Sequence, residues 1–428
     1  MNVFKEFIVV EERLNGLLGL KVVLCFQEEV QTFSIPFAEE IYSAALPWQK
    51  GVPYDSDSFL FIYTSFLTPY KTIEFNVKTK QSKVVKEKKV PSGLDPSLYT
   101  MRRCFVPIPE NTRVPAPFGT PVSDKIPVTL LYRTDLVKSE NTNPLHMTAY
   151  GCYGYPLDVT FEGKFFSLVD RGIIFAMAHV RGGGDLGQAW YETGKLNHKK
   201  NTFTDFVACA EFLVNEEKLT QHHLMSMQGL SAGGLLMGAV MNLKPDIACA
   251  VVAAVPWVDV LNTSMDPSIP LTTVEWEEIG NPNEKEAFDY LFSYSPYENI
   301  RENVKYPNIL VTTGLMDSRV PYWEPAKWVA KMRASQTNGG EAHPNKSILA
   351  MKCVMAGGHG GSSGRYAQLK ETAMVYSFLI SELDKAQALN SLAKTRKKVT
   401  KTTTTTKTTI LGSKRTTTVK RITEVSYV

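Results

Sequence analysis

Residues 227–238 read MQGLSAGGLLMG, with one serine, Ser231, flanked by a glycine two positions away on each side and an apolar run directly behind it. The preceding residues 223–227, HLMSM, have the texture of a short buried strand, and residues 235–242, LLMGAVMN, that of a buried helix. Gly229-Leu230-Ser231-Ala232-Gly233 thus fits G-x-S-x-G in a strand–turn–helix setting. There the turn lifts the serine hydroxyl above a sheet, and small flanking residues are needed because the turn is tight. A glycine-rich bend without chemistry gives the same pattern, so the motif needs partners before it means anything.

Outward from this turn, apolar runs of strand length recur at 125–132 (KIPVTLLY), 145–151 (LHMTAYG), 172–180 (GIIFAMAHV), 249–255 (CAVVAAV), 308–314 (NILVTTG) and 347–355 (SILAMKCVM). Between several of them lie helix-like segments at 205–217, 235–243 and 324–333. Continuous apolar strands alternating with helices predict a mostly parallel sheet covered on both faces, a doubly wound α/β domain over residues 106–384. Residues 1–105 read differently, as short β runs such as KEFIVVEERL, SFLFIYTSF and KTIEFNV between polar turns. Their spacing suggests one four-stranded blade per roughly 40–45 residues, so two propeller blades at most. The expected architecture is an α/β-hydrolase catalytic domain preceded by an incomplete β-propeller remnant.

Composition narrows the class. With 43% hydrophobic and 11% aromatic residues, the 428-residue chain can bury a large core. No apolar run reaches the roughly 20 residues of a membrane helix, and the N-terminus lacks the pattern of a secretion signal. The six cysteines are scattered without C-x-x-C spacing, which suggests neither a disulfide framework nor a zinc site and points to the cytosol. The charge is unevenly placed. Residues 385–428 carry eleven Lys and Arg against one Glu, whereas the remainder carries thirty-six against forty-two Asp and Glu. The basic, threonine-rich 385–428 segment is expected to be a disordered tail.

A serine nucleophile needs a base to take its proton and a carboxylate to orient that base, and in this fold the chain order is Ser, Asp or Glu, His. Only His343 and His359 follow Ser231. His343 stands in a polar loop before a strand, on the wrong side of the sheet, whereas His359 directly follows strand 347–355 among glycines. Asp317 follows strand 308–314, at the sheet edge where such folds build their sites, more cleanly than Asp246, Asp259, Asp266 or Asp289. The Ala232 amide at the helix start is one candidate oxyanion donor. The loop AYGCYGYP offers Tyr150, Tyr153 and backbone amides as others.

At this point the sequence resembles the prolyl oligopeptidase family of serine peptidases, in particular its oligopeptidase B branch. The likeness extends over residues 5–383 and is densest in YGCYG, DRGIIFAMAHVRGGGDLGQAWYE, KKNTFTDF, GLSAGGLLMGAVMN, SIPLTTVEWEEIGNP, YSPYENI and YWEPAKWVAKMR. It implies Ser231, Asp317 and His359 as the triad, with Tyr153 and the Ala232 amide as the oxyanion hole. It also implies cleavage of short peptides after Arg or Lys, with Glu275 and Glu277 as the carboxylate pair for the basic side chain. Arg319 would contact substrate or those carboxylates, and Asp158 a second basic side chain. No cofactor, metal, nucleic acid or membrane partner is implied.

The chain departs from this family in several places. Residues 1–105 are too short for a whole propeller, Val274 stands where the family usually has glycine, and the loop at 337–346 is longer than usual. The departures suggest a truncated peptidase and leave two alternatives: an inactive remnant, or a prolyl peptidase or esterase with the same triad. Arg181, in VRGGG, is expected to be structural.

Overall fold

A computed structural model describes residues 1–24, 30–47, 52–115, 117–138, 141–335 and 347–413, with side chains to residue 391. Its larger sheet has eight strands in the order 349–354, 308–314, 250–254, 225–230, 145–148, 174–178, 125–133 and 99–107. The first six are mutually parallel; 125–133 runs antiparallel to both of its neighbours, 174–178 and 99–107. The alternation of side chains along a strand explains why these runs are apolar throughout. In Ala250–Ala254, Val251 and Ala253 join the core layer containing helices Lys200–Asn215 and Ala232–Leu243, while Ala250 and Val252 join Leu168, Leu379 and Leu383 on the opposite face. This is the α/β-hydrolase architecture expected.

Helix Ala232–Leu243 approaches its neighbours closely at two of its three glycines. A Cβ on Gly234 would stand 2.4 Å from Pro256, and one on Gly238 would stand 2.7 Å from Pro296. All residues of this helix from Ala232 to Met241 are buried.

The N-terminal residues form two four-stranded antiparallel units. One contains Asn2–Val3, Ile8–Leu14, Leu17–Leu24 and Gln31–Ser34; the other contains Ser43–Ala45, Ser58–Thr64, Lys71–Asn76 and Gln81–Glu87. A single parallel pairing, Leu18 with Ser43, joins them into one sheet around a phenylalanine-rich core that includes Phe4, Phe7, Phe59, Phe61 and Phe75. The units rest on the α/β domain through Phe66, which packs edge-on against Phe165 and Phe175. Arg13 also pairs with Asp158 at 2.7 Å.

Two expected boundaries move. Strand Tyr99–Pro107 pairs along its whole length with Lys125–Arg133, so the passage from one sheet to the other precedes Tyr99 instead of falling at residue 105. The final helix starts at Arg365 and continues to Ser413, past residue 384, where a disordered tail was expected. Leu379 and Leu383 anchor its core side, and the following KAQALNSLAK consists largely of good helix formers. Residues 414–428 lie outside the described residues. No helix among the described residues is long and apolar enough to cross a membrane.

Arg181 proves to be a structural centre. It is fully buried, donates through Nε to Asp205 Oδ2 at 2.8 Å, and reaches the Thr112 carbonyl oxygen. Removing one member strands a buried charge. Arg181→Met is therefore expected to lower unfolding free energy by about 3–5 kcal/mol in urea titration. Arg181→Met combined with Asp205→Leu should recover most of that loss, and a double variant as weak as the single one would contradict this account.

Candidate active site

Strand Met225–Leu230 delivers Ser231 to a turn whose backbone is forced, with φ 57° and ψ −118°, a left-handed region that non-glycine residues rarely occupy. The glycines permit it: a Cβ on Gly229 would fall 1.9 Å from the Gly233 carbonyl oxygen, and one on Gly233 would fall 3.1 Å from that of Ala149. The Ser231 amide donates to the Ala254 carbonyl at 2.9 Å, and the Ser231 carbonyl accepts from the Gly234 and Trp257 amides. The helix then begins at Ala232, whose N–H has no carbonyl one turn earlier to bind and points from the positive end of the helix.

Asp317 follows strand Asn308–Gly314, and its Oδ2 lies 2.8 Å from His359 Nδ1. Its other oxygen accepts from the Arg319 and Val320 amides at 2.9 and 3.0 Å. Burial acts to raise the Asp317 pKa, but the His359 hydrogen bond and the two amides outweigh it and hold the carboxyl below its ordinary value. The His359 ring retains 17% exposure. Its loop is clipped in place by Ser362, whose amide donates to Glu371 Oε1 at 3.1 Å. His343, the other histidine after Ser231, lies outside the described residues, as does the loop at 337–346.

Ser231 and His359 line one cavity of about 430 Å³ together with Tyr153, Glu275, Arg319 and the 66%-exposed Val274. Among the described residues no hydrogen bond joins the Ser231 hydroxyl to His359, a looseness common before substrate tightens a site. His359, Tyr150 and Leu230 also border a second space of about 710 Å³. Glu275 is more than half buried, and its Oε2 has no hydrogen-bond partner. Burial and the nearby charge of Glu278 push its pKa up, against the opposing pull of Tyr153.

Two expected substrate contacts are not brought to this cavity. Glu277 is exposed, because 272–279 is a helix and residues two apart on a helix face away from each other. A carboxylate pair of Glu275 with Glu277 is therefore not assembled. Asp158 is held by Arg13 at 2.7 Å and does not line the serine cavity. The acidic residue one helical turn from Glu275 is Glu278, which is buried and accepts from the Tyr153 amide at 3.0 Å. Sequence reasoning passed over it, although helical spacing within EWEE was the available signal.

Residues 159–386 match the prolyl oligopeptidase family. The chain is 40% identical over 380 residues to dipeptidyl aminopeptidase BI of Pseudoxanthomonas mexicana, covering 89% of this chain and 49% of that protein. It is 37% identical over 380 residues to protease 2 of Moraxella lacunata, covering 89% and 51% respectively. Among solved structures, oligopeptidase B from Leishmania major superposes with a TM-score of 0.79 at 39% identity, over 90% of this chain and 51% of that one. The chain spans about half the length of the curated relatives it matches.

The strained turn and a buried acid each generate a test. Ser231→Gly relieves a left-handed backbone and is expected to raise stability by about 1 kcal/mol in urea titration while abolishing labelling by an active-serine phosphonate. A destabilised glycine variant would refute the strain. Glu324 is fully buried and accepts from the Asp259 amide and the Thr263 hydroxyl, which supports the cavity wall formed by Thr263 and Ser264. Burial, reinforced by the charge of Asp259, pushes its pKa up to about 8. The folded state therefore keeps a proton that the unfolded chain releases near 4.5, so this group's contribution falls as pH rises from 4.5 to about 8. Denaturation midpoints across that window should decline less steeply in Glu324→Gln than in the parent, and equal slopes would exclude this role.

Proposed function

The chain belongs to the prolyl oligopeptidase family, and from that premise we propose that it is a cytosolic serine endopeptidase that cleaves short peptides after Arg or Lys. The observation that carries the reading is the shared cavity. Ser231 on its strained turn and the His359–Asp317 pair open onto the same space as Glu275, whose buried Oε2 has no partner.

The chemistry follows from these positions. Ser231 Oγ attacks the substrate carbonyl while His359 Nε2 takes its proton, and Asp317 fixes Nδ1–H and stabilises the imidazolium. Negative charge gathering on the carbonyl oxygen is met by the Ala232 amide and the Tyr153 hydroxyl. His359 then protonates the leaving amine, and water, activated by the same imidazole, releases the acyl group from Ser231. A buried carboxylate oxygen without a partner, as Oε2 is here, is poorly satisfied until a guanidinium or ammonium reaches it, so Glu275 favours basic side chains and penalises neutral ones. Arg319, at the cavity rim, is suited to a polar contact with the substrate.

The test pairs an Arg-Arg reporter with a Gly-Pro reporter. Only the first should be cleaved, and cleavage should vanish in Ser231→Ala. Glu275→Gln is expected to lower kcat/KM on the Arg-Arg reporter by about 100-fold. Glu277→Gln should change it less than about threefold, since its carboxylate faces solvent. Preference for Gly-Pro, or equal losses in the two glutamine variants, would overturn the specificity.

A further inference from the structure

We infer that Glu278, paired with Lys199, is the positioning residue that holds the Tyr153 turn in register for the oxyanion, an inference that rests on the peptidase reading of the same site. The turn at 151–154 is an unfavourable piece of backbone. Gly151, Tyr153 and Gly154 all have positive φ, at 67°, 58° and 60°. For Tyr153, which carries a side chain, such a conformation persists only when its surroundings over-determine it.

The surroundings do so from two directions. Gly182 supplies a close backbone neighbour, its carbonyl accepting from the Gly154 amide at 3.0 Å. From beneath, Glu278 Oε1 accepts from the Tyr153 amide at 3.0 Å and lies 3.1 Å from Cys152 Sγ. Glu278 Oε2 accepts from the Tyr191 hydroxyl at 2.7 Å. Lys199 Nζ donates to the Gly151 carbonyl at 2.7 Å and stands 3.6 Å from Glu278 Oε1. The pair therefore grips the turn by a donor and an acceptor on either side of Cys152.

Both charges are almost completely buried, with Lys199 1% and Glu278 3% exposed. An ion pair in such a place is weak grounds for claiming stability, because desolvation offsets much of the attraction. What it supplies here is geometry. Glu278 also stands one turn along the helix that carries Glu275, so one rigid element places both the carboxylate facing the substrate and the residue that holds the oxyanion turn.

The readout is the rate at which a small fluorophosphonate without a basic side chain labels Ser231. Its phosphoryl oxygen occupies the oxyanion position, and the probe carries no basic group for Glu275 to bind. Tyr153→Phe should slow labelling by about 100-fold, the scale of one lost oxyanion donor. Glu278→Gln should slow it by about tenfold, because a misplaced donor acts as a weakened one. In the Tyr153→Phe background, Glu278→Gln should add nothing. A general loss of structure would instead multiply the two effects. Parental labelling in Glu278→Gln, or multiplicative effects, overturns the inference. If Glu278→Gln does not fold, Tyr191→Phe, which removes one Glu278 contact, should slow labelling in the parent but not in Tyr153→Phe. Unchanged labelling in Tyr191→Phe likewise overturns it. An unlabelled parent protein, by contrast, overturns the peptidase reading itself and the inference with it.

Discussion

No side chain fits between Gly229 and the Gly233 carbonyl oxygen, and the rest of the site depends on that exclusion. Because the two backbones approach so closely, the chain turns within a single residue, and Ser231 takes the strained φ of 57°. The same turn starts the helix at Ala232, whose amide lies in the first turn and has no carbonyl within the helix to bind. It also requires small residues further along that helix, where Gly234 and Gly238 press on Pro256 and Pro296. A helix so deeply embedded has no polar face to offer solvent, which is why it is apolar almost all round.

The parts of this arrangement that were legible in the sequence are those governed by chain order and strand ends. Ser231, Asp317 and His359 each follow an apolar run of strand length, and parallel strands bring such positions to one edge of the sheet however far apart they lie in sequence. The contacts that were not legible depend on local geometry that a linear pattern hides. Glu275 and Glu277 look like a pair when written side by side, but a helix turns them away from each other and brings Glu278 under the Tyr153 loop instead. Asp158 is neutralised by Arg13, 145 residues away, a pairing that no spacing announces. At the other end, the basic, threonine-rich composition of residues 385–428 suggested disorder, but the helix anchored by Leu379 and Leu383 runs on through the good helix formers of 385–394 to Ser413.

Charge is handled differently in the two halves of the molecule. In the α/β domain two cations are buried with carboxylates, Arg181 with Asp205 and Lys199 with Glu278, each pair supplemented by backbone hydrogen bonds that keep the desolvated groups satisfied. In the N-terminal units the core is aromatic and the charges lie outside. Strand Gln81–Glu87 is exposed along its full length, with Lys83 and Lys86 on an edge where Val84 and Val85 also face solvent. Lysines on an exposed edge discourage another strand from pairing there.

The helix Thr272–Ile279 has a consequence for how such a site can diverge. It carries Glu275 to the cavity lined by Ser231 and Glu278 to the turn that bears Tyr153, so a change that tilts or shortens it moves both carboxylates together. Val274 has no such double duty: it borders the cavity and is otherwise open to solvent. Sequence change at this helix therefore meets an uneven landscape, in which the two acidic positions are locked to one another and the neighbouring aliphatic position is not.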